Sequence, residues 1–313
     1  MADKLVIRRE KVVKMLAPLL PYTYQYANLV GDINGGGRGF SWDGDPAHLI
    51  KWIGINSGDD EPMNLQHLDC TIDQQWEMKE TSAQITQYRK YRDILDRVYE
   101  TEADVMADNV LADYLQNKRP VNMAKYVSAK LYESAVASGH TELVIETDEV
   151  TKDNIVGYFD QLNIAQDENI PGANDKTFYI SYSGYAALKA SDLNKRIVMN
   201  GDTAIGRDIE SIDGVKIKRV SQNTLKTLVN ATGRGYVTPE DAKNIFGIMV
   251  VDSAIAHPYG IDDIRVDAPS ALSDNKQVFG NWYSFDVFQH PGYNGWGVGV
   301  IVEPAAASTD VNP

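Results

Sequence analysis

The chain has 313 residues, 43% hydrophobic and 24% charged, with a formal net charge of −14. That composition affords a sizeable core and excludes wholesale disorder; no run of about 18 apolar residues is present, which excludes a spanning helix; and a field this acidic repels a phosphate backbone and disfavours tight general nucleic-acid binding. A single cysteine, Cys70, excludes an internal disulfide, and the histidines (His48, His67, His140, His257, His290) are too scattered for the close pair of a zinc site.

Residues 1–45 read as an arm. VIRREKVVKMLAPLL sustains one or two amphipathic turns before Pro18 and Pro21 stop it. MLAPLLP is proline-broken and makes a poor signal peptide, so the chain is expected to stay in the cytoplasm that makes it. GDINGGGRG (31–39) is a hinge by composition. The Phe40-Ser41-Trp42-Asp43 after it is not the Lys-Ser/Thr and helix that a phosphate loop requires.

Residues 46–80 read as a long hairpin. HLIKWIGIN (48–56) alternates at Ile53 and Ile55, SGDDEPMN (57–64) is a polar tip, and LQHLDCTIDQQWEMKE (65–80) returns with Leu68, Cys70 and Ile72 on one face. Cys70 in that alternation is a packing residue. A hairpin alone is marginal in water, so this one must lean on its own chain or on a neighbour.

Residues 82–138 read as helical. Ile85, Tyr88, Leu95 and Val98 keep a helical period, as do Met106, Val110 and Tyr114. Pro120 interrupts, then Met123, Val127, Leu131 and Ala135 resume the stripe up to Gly139, a natural stop. The YRKYR run (88–92) stands beside Asp93, Asp96 and Glu100 and reads as a solvated helix face rather than a base-stacking patch.

From 141 short strands and helices alternate. ELVIE (142–146) is a strand, Thr151 caps a helix carrying Ile155, Tyr158, Phe159 and Leu162, and AQDENIPGANDK is a loop before strand TFYIS (177–181). Ser183 caps the helix GYAALKAS, and SIDGVKIKRV (211–220) turns at Asp213-Gly214. TPEDAKNI (238–245) reads as a helix entered through Thr238 and Pro239. FGIMVV (246–251), DDIRVDAP, QVFGNWYSFDVFQHPG (277–292) and GWGVGVIVEP (295–304) are strands, followed by a polar tail. Mixed strand directions among helices imply an α+β fold.

Chemistry is sparse. GYNGWGVGV (292–300) leads into a strand, not the helix of a dinucleotide site, so it reads as a turn entering a sheet. Asp59-Asp60 and Asp262-Asp263 are adjacent acids that point apart on extended chain and read as loop acids. No nucleophile elbow, HExxH or CxxC occurs. Catalytic, metal and cofactor residues are therefore expected to be none.

One ordered series stands out. It runs from Val144 through Thr151-Lys152-Asp153-Asn154-Ile155, the Asp167-Glu168-Asn169-Ile170-Pro171 turn, strand 177–181, and Tyr185 and Leu188 on a helix, to Ile212-Asp213-Gly214. This series resembles the A-domain of tailed-bacteriophage major capsid proteins. The resemblance extends over about 45–303, with 46–80 similar to the E-loop and the Trp282-Tyr283-Phe285 strand to the closing P-domain segment. It implies an α+β, HK-type phage capsid fold: an N-terminal arm (1–45), an extended E-loop hairpin (46–80), a P-domain with spine helix (81–140 and 250–303), an A-domain mixed sheet with flanking helices (141–249) and a flexible tail (304–313).

By the same resemblance the chain is not an enzyme. It assembles in the host cytoplasm as pentamers and hexamers into the icosahedral shell of a tailed phage, and its location is the virion capsid. The implied partners are other copies and portal, scaffolding and decoration proteins; the packaged double-stranded DNA is contained without tight specific binding, and no membrane is involved. No long charged N-terminal helix is present, so a scaffold would be a separate protein. The expected contacts between subunits are Arg38 at the hinge and Lys51, Trp52 and Ile55 on the hairpin. An encapsulin-type compartment shell and a cytoplasmic α+β enzyme with an unrecognised site remain alternatives.

Overall fold

The computed structural model describes residues 24–31, 40–41, 49–56, 77–84, 88–95, 119–170, 172–191, 209–232, 235–267 and 277–304. In chain order the elements used below are β1 (Val30–Gly31), β2 (Phe40–Ser41), β3 (Leu49–Asn56), β4 (Glu77–Gln84), β5 (Tyr88–Leu95), α1 (Arg119–Ala137), β6 (Val144–Glu146), α2 (Ile155–Asn169), β7 (Lys176–Ser181) and α3 (Tyr182–Ala190). Then come β8 (Ser211–Ile212), β9 (Val215–Val220), β10 (Asn230–Thr232), β11 (Gly235–Val237), β12 (Ile245–Val251), β13 (Ile255–Asp267), β14 (Gln277–Phe285), β15 (Phe288–Gln289) and β16 (Val298–Val302).

The apolar runs IFGIMVV and VGVIV are apolar throughout because both of their faces are covered. They are the middle of a mixed six-stranded sheet of order β6-β16-β12-β7-β9-β8, with β6/β16 and β7/β9 parallel and the other neighbours antiparallel. Alternation sorts the side chains. Val298, Val300 and Val302 of β16, Ile248 and Val250 of β12, and Tyr179 of β7 share one core with Met123, Val127, Leu131 and Ala135 of α1. Ile301, Met249, Phe178 and Ile180 point the other way, into a second core with Ile155, Phe159 and Leu162 of α2 and Tyr185 and Leu188 of α3. Each fully buried aliphatic side chain here contributes roughly 1.5–3 kcal/mol.

The helix over 119–137 forms as its stripe predicts. Pro120 lies in its first turn, where a missing N–H costs nothing, so it opens the helix. Gly139, at φ 74°, is the left-handed stop. The Asp213-Gly214 turn also forms, with positive φ at both residues and Ile212 facing Val215 across it. Gly299 has a packing reason: a Cβ there would lie 2.8 Å from Leu162 Cδ2, so α2 could not settle on β16.

Several expectations are corrected. Residues 82–84 and 88–95 are strand, not helix: β4 runs to Gln84, and β5 pairs antiparallel with β14 from Tyr88↔Ser284 to Leu95↔Gln277. Arg, Lys and Leu favour a helix by only some tenths of a kcal/mol each, which pairing along a whole neighbouring strand outweighs. Thr151 is not the cap of α2, which begins at Ile155 after a turn in which the Thr151 N–H donates to Asn154 Oδ1 at 2.8 Å. The loop expected from Ala165 begins later, because α2 continues to Asn169. Ser181, not Ser183, caps α3, accepting from the Gly184 N–H at 3.1 Å. Residues 238–243 form a turn rather than a helix, because Lys243 and Ile245 are tied to Thr227 and Leu225 by backbone hydrogen bonds.

A second sheet has the order β1-β13-β14-β5, with β15 pairing off β13 and a register irregularity in β13 between Gly260 and Asp263. The segment 250–303 supplies β13 and β14 to this sheet and β16 to the six-stranded one. Within the expected arm, Tyr24, Tyr26 and Leu29 are buried in the α1 core and β1 runs parallel to β13. The expected patterns at Leu68, Cys70 and Ile72, at Ile85 and Val98, at Met106, Val110 and Tyr114, and over the tail from 305 lie outside the described residues.

Candidate assembly surfaces

The strand over 49–56 pairs with a returning strand, but the expected register is corrected: Asn56 stands opposite Glu77, so the strands do not meet across a tip at 57–64. β3 and β4 are antiparallel from Leu49↔Gln84 to Asn56↔Glu77, and β2 covers the other edge of β3. Lys51 stands opposite Ser41 and Ser82, Trp52 opposite Phe40 and Thr81, and Ile55 opposite Met78. Three of the four expected contact residues therefore lie on one strand, spread over roughly 13 Å; Arg38 lies outside the described residues. Among the described residues, these three strands pair only with one another. Among the described residues β4 is an edge strand of eight residues, and the edge of a sheet favours addition of a further strand.

The body carries apolar residues that sequence reasoning missed. Val121, Val136, Ile164, Tyr182, Leu228 and Val237 are all exposed. The β10–β11 pair is instructive. Tyr236 turns inward, its ring 5.1 Å from Tyr126 and 6.4 Å from Phe285, while the next residue, Val237, is 54% exposed opposite Asn230. Leu228, two residues before that pair, is exposed too, whereas Val229 packs against the core. Large apolar residues fall on both sides of this segment, Leu228 and Val237 outward and Val229 and Tyr236 inward, so their positions alone do not tell the inner face from the outer.

The N-terminal segment is held by polar contacts as well as by burial. His257 Nδ1 is 2.7 Å from the Asp286 carbonyl oxygen, which requires a proton on Nδ1; its Nε2 then accepts from the Tyr24 hydroxyl at 2.8 Å. Tyr126 donates to the Asp286 carboxylate at 2.8 Å. Ser128 donates back to the Ala124 carbonyl, so the Tyr26 hydroxyl donates to Ser128 Oγ at 2.6 Å. Asn28 sits among four side chains. Its Oδ1 accepts from the Tyr179 hydroxyl and from Lys218 Nζ, each at 2.6 Å, and its Nδ2 donates to Asp252 Oδ2 at 2.9 Å and to Thr177 Oγ1 at 3.3 Å. Thr177 donates to the same carboxylate oxygen at 3.1 Å.

These surroundings move proton affinities. Burial pushes the Tyr26 hydroxyl up to about 12 and holds Tyr24 and Tyr179 well above the usual phenol range. Burial lowers Lys218, with the Asp252 carboxylate opposing and Lys216 assisting. Among the described residues, no group of three His, Cys, Asp or Glu side chains is placed to hold a metal ion, and no helix is long and apolar enough to cross a membrane.

No protein-family model and no curated protein sequence matches the chain. Solved structures do. A chain of Mycobacterium phage Che8 is similar with a TM-score of 0.58 at 15% identity, over 88% of this chain and 90% of that one. The capsid of Ralstonia phage GP4 matches at 0.55 and 9% identity over 95% and 94%. The mature capsid of bacteriophage PhiM1 matches at 0.55 and 8% identity over 82% and 82%.

Proposed function

Because the chain has the α+β, HK-type fold of tailed-phage capsid proteins, we propose that it is a structural shell subunit rather than an enzyme. In this role it assembles as pentamers and hexamers into the icosahedral shell that encloses a phage's double-stranded DNA. One observation carries the reading: the fold likeness to the Ralstonia phage GP4 capsid runs over 95% of this chain and 94% of that one. The segment 46–80 is then the extended loop, α1 the spine helix, and the six-stranded sheet with α2 and α3 the A-domain. Arg38, Lys51, Trp52 and Ile55 are the contacts between copies.

The physical logic supports this role. A ribbon whose strands, among the described residues, pair only among themselves is an aggregation hazard in a lone monomer and an interface when laid on an adjacent copy. Repeating one such contact about symmetry axes closes a shell. A net charge of −14 suits a container whose contents must slide and leave, since acidic walls do not trap phosphate. The finished shell is located in the virion, and portal, scaffolding and decoration proteins are the partners its assembly calls for.

Electron microscopy and light scattering on the purified full chain test the proposal. Closed particles are expected from the full chain, and deletion of 46–80 is expected to leave soluble protein without particles. A monomer or dimer as the sole product of the full chain, or normal shells from the deletion, would overturn it.

A further inference from the structure

We propose that His290 is an acid-sensitive latch on the loop 290–297: its neutral ring holds the loop closed over the ends of β12 and β16, and protonation releases the turn over Pro291–Tyr293. The contacts that make the latch lie within one chain and do not depend on whether that chain builds a shell.

Proline has no N–H, so the first backbone donor after His290 is that of Gly292, and it donates to His290 Nδ1 at 3.0 Å. Asparagine makes the same kind of turn with the N–H two residues on. The bond exists only while Nδ1 keeps its lone pair. A Cβ at Gly292 would lie 3.2 Å from Nδ1 and from Cε1, so glycine lets the ring sit over the turn. The backbone is fixed on both sides, since the His290 N–H donates to the Ala254 carbonyl at 2.8 Å and the Tyr293 N–H to the His290 carbonyl at 3.1 Å. Tyr293 sets its ring at 90° to the imidazole, 5.7 Å between centroids, and its hydroxyl donates to Ser253 Oγ at 3.1 Å. Farther on, the Trp296 N–H donates to the Tyr293 carbonyl and the Val251 N–H to the Gly297 carbonyl, each at 2.9 Å. Closed in this way, Tyr293 and Trp296 pack on a small core of Ile170, Val251 and Ala254.

A proton on Nδ1 turns the acceptor into a donor that faces the Gly292 N–H, and it charges a half-buried ring. Burial lowers the proton affinity of His290. The carboxylates on the elements around the loop are engaged elsewhere. Asp175 accepts from the Ser253 N–H at 2.7 Å and from its hydroxyl at 3.2 Å, Asp252 from Asn28 and Thr177, and Asp286 from Tyr126 and the Val287 N–H. His140, at the far end of the loop, responds in the opposite sense. Its Nε2, 3.0 Å from the Asn294 carbonyl oxygen, already carries a proton, and its ring stacks on Trp296 at 3.7 Å. A second proton there keeps that bond and adds attraction to the indole face. Acid therefore loosens 290–293 while Trp296 stays clamped. A solvated histidine titrates near pH ~6.5, and the closed loop holds His290 below that. The closed form is thus fully favoured above pH ~6.5. Opening grows as pH falls below it, by up to about tenfold per pH unit, and levels off where the closed ring protonates as well.

Hydrogen–deuterium exchange read by mass spectrometry on the purified full chain tests the latch. Protection is compared at about pH 8 and about pH 5, each normalised to the unfolded chain at the same pH. Peptides covering 288–297 should lose protection roughly three- to tenfold at the lower pH, while peptides from β12 and α1 keep theirs. His290→Asn offers a side-chain carbonyl to the Gly292 N–H and has no proton to gain, so its loop should be equally protected at both pH values. Equal protection of the wild-type loop at both pH values would overturn the proposal. So would a His290→Asn loop that loosens in acid as the wild type does, or a loss in acid shared by β12 and α1, which marks unfolding of the whole body.

Discussion

Tyr26 tests whether the segment 24–31 belongs to the body. Its side chain is fully buried, its ring centroid lies 4.6 Å from that of Tyr179 and 6.0 Å from that of Tyr24, and its hydroxyl donates to Ser128 at 2.6 Å. Tyr26→Ala removes a large aromatic from a closed core and should cost about 3–5 kcal/mol. Tyr26→Phe removes only the hydroxyl. Ser128 keeps its bond to the Ala124 carbonyl, so the cost should be about 0.5–1.5 kcal/mol. The pH dependence separates hydroxyl from ring. An unfolded tyrosine ionises near 10, whereas Tyr26 in the fold ionises at about 12. Burial raises the folded value, so stability is unaffected by this group below pH ~10 and falls as pH climbs towards ~12, by roughly 3 kcal/mol in all. Denaturant midpoints of wild type and Tyr26→Phe at pH 8 and pH 11 are the assay. The wild type should be the more stable at pH 8, and its advantage should shrink or reverse at pH 11. If Tyr26→Ala changed stability by under about 1 kcal/mol at pH 8, the segment would not be part of the core and the argument from burial would fail.

Two further outcomes follow from the same packing. Leu131, at the centre of the stripe of α1 and fully buried against the six-stranded sheet, should cost about 2–5 kcal/mol as Leu131→Ala in equilibrium unfolding, and a change near zero would place α1 elsewhere. Val237, 54% exposed on the outer face of the β10–β11 ribbon, should tolerate Val237→Lys within about 0.5 kcal/mol of stability. If that face meets another copy, as the shell role suggests, the variant lowers the yield of closed particles by electron microscopy; a destabilised monomer would show instead that Val237 packs inside.

What the sequence determined by itself is what neighbouring residues decide. The stripe Met123, Val127, Leu131 and Ala135 with its stop at Gly139, the turn at Asp213-Gly214 and the doubly covered strands β12 and β16 were legible because helical period, left-handed glycine and apolar runs are local signals. So was the pairing of a strand bearing Lys51, Trp52 and Ile55 with a returning partner. The rest depended on residues far apart in the chain. Tyr88–Leu95 is a strand because β14, nearly two hundred residues later, supplies its hydrogen bonds. Tyr24–Gly31 is core because Ser128, Tyr179 and His257 meet it. The Asn28, Tyr179, Lys218 and Asp252 cluster has no spacing to recognise. A tertiary contact outweighs a weak local preference and leaves no periodic trace in sequence, so only the folded arrangement reveals it.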